Sequence, residues 1–451
     1  MSILDTMLTG KVTSDIVLTP DNVAKDMVDL LSNEVWTSES TFLDIATKGG
    51  IFLKLIYDKL MNSTDLINKF PDEASRRNHI LQNQIYGLSV NDFCAALSQR
   101  RLYGKMDNNS NIKCINGYYD IIRDDRRFKL TIERTFKNMK FDVVIGNPPY
   151  NNDLYLDFLN KGYTLLKEDG VMVQITPAKW QAKGGKKNDD FRKQIVPHMS
   201  EIIHYKDSTD VFDIQEWGGI SIIKIDKNIH NTKLIVNKCS KNKVLESNTE
   251  KHIEDNLILL PNKIVDIINK CMITGKSIDN NLEFKRCVYV GEQERGYTKE
   301  RETDIMVMQG DKHTGWVSKS DLFTQAKLDK YKCICSIMPG AVASFDKNGQ
   351  VLGMFKIVYI GPNQVPKGSF PVLKYFDSED ECKSFISYCN TKLVAFLYYI
   401  GTCGTTLTSE FWRFVPEPDK FDHIFTDNEL YTKYKLTSEE IEMIESVIKD
   451  R

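Results

Sequence analysis

Residues 141–150, Phe-Asp-Val-Val-Ile-Gly-Asn-Pro-Pro-Tyr, place a rigid polar turn directly after an apolar run. Such a run reads as a buried strand, and in open α/β sheets ligands bind beyond the carboxyl ends of strands. Pro148 and Pro149 fix φ and remove two backbone donors, so the local carbonyls stand outward as acceptors. An exocyclic amine such as that of adenine carries two hydrogens. The Asn147 side-chain oxygen and the Pro148 carbonyl can accept both, and Tyr150 offers an aromatic face on which an extruded purine can stack. This grip aims the nitrogen lone pair at an electrophilic carbon such as a sulfonium methyl. Positioning then does most of the catalysis and no strong base is needed. Asn147, Pro148, Pro149 and Tyr150 are the candidate catalytic residues.

The elements that must hold this turn alternate between short apolar runs and helical stretches from residue 41 to 226, the pattern of a doubly wound, Rossmann-like α/β sheet. Strands are expected at 41–46, 84–90, 111–116, 141–146, 171–176, 201–205 and 219–225. Between the first two, Phe52, Ile56 and Leu60 recur every four positions, as the buried face of a helix requires. Beyond about residue 235 the alternation stops, which suggests a catalytic domain over 1–234 and a mixed α+β second domain over 235–451. Thr437-Ser438-Glu439-Glu440 is a capping box for a last helix with Ile441, Ile444 and Ile448 on one face.

At 451 residues the chain exceeds the size at which one core usually stops growing, in keeping with two domains. No apolar run approaches the roughly 18 residues that span a bilayer, so no membrane segment is expected. Met1 to Asp5 lack a basic and then apolar pattern, which points to a cytoplasmic address. Ten cysteines without a repeated CxxC, and histidines without ligand spacing, give no ground for a metal site. The net charge of −2 says little about nucleic acid, but Lys179, Lys183, Lys186, Lys187, Arg192 and Lys193 crowd one segment, and Lys233, Lys238, Lys241 and Lys243 another. Either could track phosphates or simply be a solvated face.

With these residues in view, the chain resembles a gamma-class DNA N6-adenine methyltransferase of the restriction-modification methylase family, over nearly its whole length. The resemblance implies S-adenosylmethionine as cofactor and double-stranded DNA as substrate, with a cognate restriction endonuclease as a possible partner. The second domain becomes a DNA target-recognition domain. Thr19 and Pro20 match the family's Thr-Pro element, where the threonine contacts the cofactor carboxylate; alone, Thr19 also reads as a helix cap. Asp44, Ala46, Gly49 and Gly50 match the cofactor loop, although Ile45 and Lys48 stand where relatives carry proline and glycine. Ser89 occupies the position of the acid that holds the ribose, with Asn91 or Asp92 as substitutes. Leu97-Ser98-Gln99-Arg100-Arg101 resembles a helix of one branch of the family. Lys179, Trp180, Lys183, Lys186 and Lys187 fall in the segment expected to face DNA, and Phe212, ahead of Trp217, matches the aromatic that sandwiches the flipped base opposite Tyr150. Residues 401–406 are a candidate DNA-facing loop.

Four other readings compete. Modification of a protein glutamine or of cytosine N4 uses related turns, but the former enzymes lack a large second domain and the latter more often carry serine at the position of Asn147. A specificity protein without catalysis would have no reason to keep the turn from Asn147 to Tyr150. A fused nuclease-methylase rests only on a loose acid-acid-lysine match at Asp266 or Asp279, Glu283 and Lys285.

Overall fold

A computed structural model describes residues 17–107, 109–181, 186–212, 216, 218–230, 233–240, 243–252, 259–284, 302–337, 350–351, 355–402 and 407–449. The chain divides into two compact units, 1–259 and 260–451.

The first unit is built on a nine-stranded sheet. Its strands are β1 (Phe42–Thr47), β2 (Ile85–Ser89), β3 (Ile112–Cys114), β4 (Phe141–Gly146), β5 (Leu166–Pro177), β6 (Met199–Tyr205), β7 (Ile220–Asp226), β8 (Lys233–Ser240) and β9 (Lys243–His252), in the order β3-β2-β1-β4-β5-β7-β6-β8-β9. β1 to β5 run parallel, and β7 enters antiparallel between β5 and β6. The order reverses between β1 and β4, the place where doubly wound sheets leave a crevice for a ligand. β1 is buried along its full length, as a strand covered by helices on both faces must be.

The register of these two strands is pinned at their amino ends. The Asp142 carboxylate accepts from the Thr41 amide at 2.7 Å and the Thr41 hydroxyl at 2.8 Å, and takes Lys167 at 2.7 Å. Asp44 thereby lies opposite Ile145, so β1 and the strand leading to Asn147 end side by side. Four helices bear on the site: α1 (Asp21–Asp29), α2 (Ile51–Met61), α3 (Asp92–Tyr103) and α4 (Leu154–Leu165). Phe52, Ile56 and Leu60 form the buried face of α2, as their spacing required.

The boundary between units falls after Leu259 and not at 234. β8 pairs parallel with β6, Ile202 opposite Val236, and β9 closes on β8, so the first sheet runs on to His252, past the expected limit. Their lysine-rich composition hid this from the alternation pattern.

In the second unit β10 (Ile305–Gln309), β11 (Lys312–Val317) and β14 (Gln364–Pro366) form one small sheet, and β12 (Tyr331–Cys335), β13 (Ile357–Ile360) and β15 (Val372–Phe376) another. The helices Glu379–Asn390 and Lys392–Gly401 contribute Phe385, Tyr388 and Tyr398 to an aromatic core with Phe421, Phe425 and Trp412. The mixed α+β character matches expectation. The capping box Thr437/Glu440 is formed, and Ile444 and Ile448 are buried behind it, with Ile441 half-buried. Among the described residues no helix is long and apolar enough to cross a membrane.

Candidate active site

Asn147 leaves the carboxyl end of β4 and is almost fully buried. Its Nδ2 donates to Thr19 Oγ1 at 3.1 Å and to the Val17 carbonyl at 3.3 Å. Its Oδ1 is buried and has no hydrogen-bond partner among the described residues. A buried orphan acceptor is costly, by about 1–3 kcal/mol, and where one persists it calls for a ligand to meet it.

Beside it lies a cavity of about 540 Å³ lined by Thr19, Pro20, Asp44, Ala46, Gly49, Gly50 and Asn147, together with Leu18, Lys48, Phe52, Leu97 and Arg101. That volume is within the range of small-molecule and cofactor sites. Six residues expected around a cofactor therefore converge with Asn147 on one space. The Asp44 carboxyl accepts from the Ala46 amide at 3.0 Å, and Lys48 donates to the Val17 carbonyl at 3.1 Å. Burial dominates the Asp44 environment and pushes its pKa up to about 7, against hydrogen bonds and the Lys48 charge that pull it down. Gly50 has φ +69° at the start of α2, and a Cβ there would meet Ser98 at 3.0 Å, so the loop needs glycine both for conformation and for space. Lys48 is not among the residues of positive φ; the left-handed step that its substitution for glycine called into question is taken at Gly50.

Ser89 and Asn91 are not among the cavity's lining residues. The Ser89 hydroxyl donates to the Thr47 carbonyl at 2.7 Å, where it ties β2 to β1, and the Asn91 side chain caps α3 by accepting from the Cys94 amide at 2.8 Å. Both side chains thus do local structural work. Leu97 and Arg101, one turn apart on α3, reach the cavity instead. The i, i+4 spacing of an apolar and a basic residue was the available signal. A second contribution absent from the sequence reading is Gln174 on β5, opposite Gly146. Its side-chain amide lies against both backbone groups of Gly146, the residue that precedes Asn147; turned to match donor with acceptor, it donates to the Gly146 carbonyl at 3.1 Å and accepts from the Gly146 amide at 3.2 Å. A Cβ on Gly146 would lie 3.2 Å from Asp44 Oδ1, a tight contact that the acid would have to yield to.

Tyr150 and Phe212 are brought together, with ring centroids 6.5 Å apart and an interplanar angle of 69°. This is an edge-to-face contact and leaves no flat slot, so a purine can lie between the rings only after Phe212 turns. Trp180 is a correction: it is fully buried and packs edge-on against Phe191, 5.7 Å away, as a core side chain beyond the reach of DNA. Trp180→Ala is expected to cost about 3–5 kcal/mol of stability in a denaturant titration, while the salt dependence of DNA binding is unchanged. A changed salt slope with unaltered stability would contradict this assignment. Lys179 is paired with Glu216 and Lys187 with Asp157, whereas Lys186 is exposed. Lys183, Trp217, Lys241, Lys285 and the loop segment 403–406 lie outside the described residues.

Comparison with known proteins follows the same lines. A family model described as Eco57I restriction-modification methylase matches residues 83–152 and 151–212, the stretch from β2 through the Asn-Pro-Pro-Tyr turn to Phe212. An "uncharacterized adenine-specific methylase" of Mycoplasma pneumoniae is 25% identical over 309 residues, 52% of this chain and 72% of that protein. Among solved structures, a cryo-EM structure of a DrdV–DNA complex superimposes with a TM-score of 0.51 at 12% identity, covering 88% of this chain and 55% of that one. A modification subunit of a putative type I restriction enzyme from Vibrio vulnificus matches 54% of this chain and 51% of its own, at 14% identity and a TM-score of 0.39. The chain spans about half the length of these solved structures. The resemblance drawn from the sequence is borne out.

Proposed function

We infer that this chain, an adenine methyltransferase of the restriction-modification methylase family, transfers a methyl group to the N6 amine of an adenine extruded from double-stranded DNA. The unpartnered Asn147 Oδ1, buried at the rim of the cavity formed with the Asp44 loop, is the observation that carries this reading. The residues present suit S-adenosylmethionine: a buried acid on the Asp44 loop, glycines that let backbone approach, and the start of α2 facing the same space. When bound, S-adenosylmethionine supplies an electrophilic methyl on a cationic sulfur.

The chain's own part is to hold the amine. Asn147 Oδ1 and the Pro148 carbonyl accept its two hydrogens, which raises electron density on nitrogen and fixes the direction of its lone pair. Pro149 stiffens the turn and Tyr150 supports the ring of the base. The methyl group would leave its sulfur, which keeps the electron pair as a neutral thioether, and the amine would lose one proton to solvent, so no strong base is required of the site. Unit 260–451 serves as the target-recognition domain, Lys186 contacts phosphate, and a cognate endonuclease in the same cytoplasm would share the recognition sequence. Incubation of unmethylated genomic DNA with the purified protein and S-adenosylmethionine, followed by single-molecule sequencing, tests the proposal. N6-methyladenine at a defined motif is expected. Bound cofactor with no modified adenine on any DNA would overturn it, and modified cytosine would reassign the base.

A further inference from the structure

Residues 17–20 form a strap along one wall of the cavity, and Thr19 is in its middle. The reading of Thr19 as a helix cap fails, because Pro20 occupies the cap position of α1 and no side chain caps that helix. The Thr19 hydroxyl oxygen accepts instead from Asn147 Nδ2, and the Val17 carbonyl accepts from the same nitrogen. Both amide donors of Asn147 are therefore turned toward the strap, and its oxygen is the atom left to meet a substrate. This matters because an asparagine amide keeps its shape when rotated by half a turn. The flipped amide would present N–H to the incoming amine, donor against donor, and the grip would fail. Lys48 donates to the same Val17 carbonyl, so the strap is tied to the cofactor loop as well.

We propose that Thr19 is a positioning residue that holds the Asn147 amide in the orientation that leaves its oxygen for the incoming amine. The proposal rests on the methyltransferase reading above, and the test separates the two. Full-length wild type, Thr19→Val, Thr19→Ser and Thr19→Ala are compared by calorimetric titration with S-adenosylmethionine and by turnover on DNA at saturating cofactor. Valine keeps the shape and removes the hydroxyl. It is expected to lower kcat by about ten- to a hundredfold while cofactor affinity falls by no more than about fivefold, and serine should restore kcat to within about threefold of wild type. If the valine variant fails to fold, the serine and alanine variants supply the same contrast of hydroxyl present and absent. An unchanged kcat in the variants without a hydroxyl, a loss confined to cofactor affinity, or no rescue by serine overturns the role of Thr19. A wild-type protein that binds cofactor but methylates no DNA overturns the reading beneath it.

Discussion

Asn147→Ala is expected to lower kcat for methyl transfer by at least about 10²–10³-fold, the usual cost of removing one oriented hydrogen-bonding group aimed at the reacting centre. Cofactor affinity should stay within about fivefold of wild type, because the cavity wall from Asp44 to Phe52 and from α3 is untouched. Three observations set the size of the effect. The Asn147 oxygen is buried without a partner among the described residues, so it has no competing hydrogen bond to give up for the amine. The residue before it, Gly146, is held in register opposite Gln174 of β5, which resists movement of the turn to replace the lost acceptor. The prolines that follow provide no mobile donor or acceptor. Stopped-time methylation assays with calorimetry on the same preparation check both halves. Retained turnover would remove Asn147 from the reaction, and a parallel collapse of cofactor affinity would recast it as a cofactor ligand.

Much of this arrangement is legible in the sequence, and the reasons are local. The run Phe141 to Gly146 is apolar and ends in two prolines, so its strand and its turn are both dictated by neighbours in sequence. The helix Ile51–Met61 announces itself by a four-residue repeat on one face. What sequence could not deliver are facts of pairing across distance. Ser89 sits where an acid was expected, yet its fate is decided by the Thr47 carbonyl on the neighbouring strand. Asn91 had a simpler use, three residues ahead of an amide it could cap. Trp180 stood among lysines that suggested a surface, and Phe191, eleven positions on, draws it into the core. The partnership of Thr19 and Asn147 spans 128 residues, and nothing in either local sequence signals it. The same holds for β8 and β9, whose lysines are compatible with a loop until Ile235 and Val236 find β6.

Asp44 is expected to make cofactor binding sensitive to pH, in a direction that its burial decides. In the folded protein its pKa rises from 3.8 to about 7, because desolvation outweighs the Ala46 and Thr47 hydrogen bonds and the Lys48 charge. Between pH 3.8 and 7 the folded chain therefore keeps a proton that the unfolded chain has released, so this group lowers stability as pH rises through that window. Binding of S-adenosylmethionine, which brings a cationic sulfur and an ammonium, has the opposite preference and favours the ionised carboxylate. Below pH 7 the binding-competent form is the minority, and apparent affinity falls in proportion to its fraction. Affinity is expected to be about tenfold weaker at pH 6 than at pH 8, and to level off above pH 8. Titrations in two buffers of different ionisation enthalpy should register close to one proton released per cofactor bound at pH 6 and almost none at pH 8. Asp44→Asn should bind more weakly at pH 8 and lose the pH dependence altogether. A wild-type affinity that stays flat from pH 6 to 8 would mean that Asp44 keeps its proton in the complex and meets the cofactor as a hydrogen-bond donor.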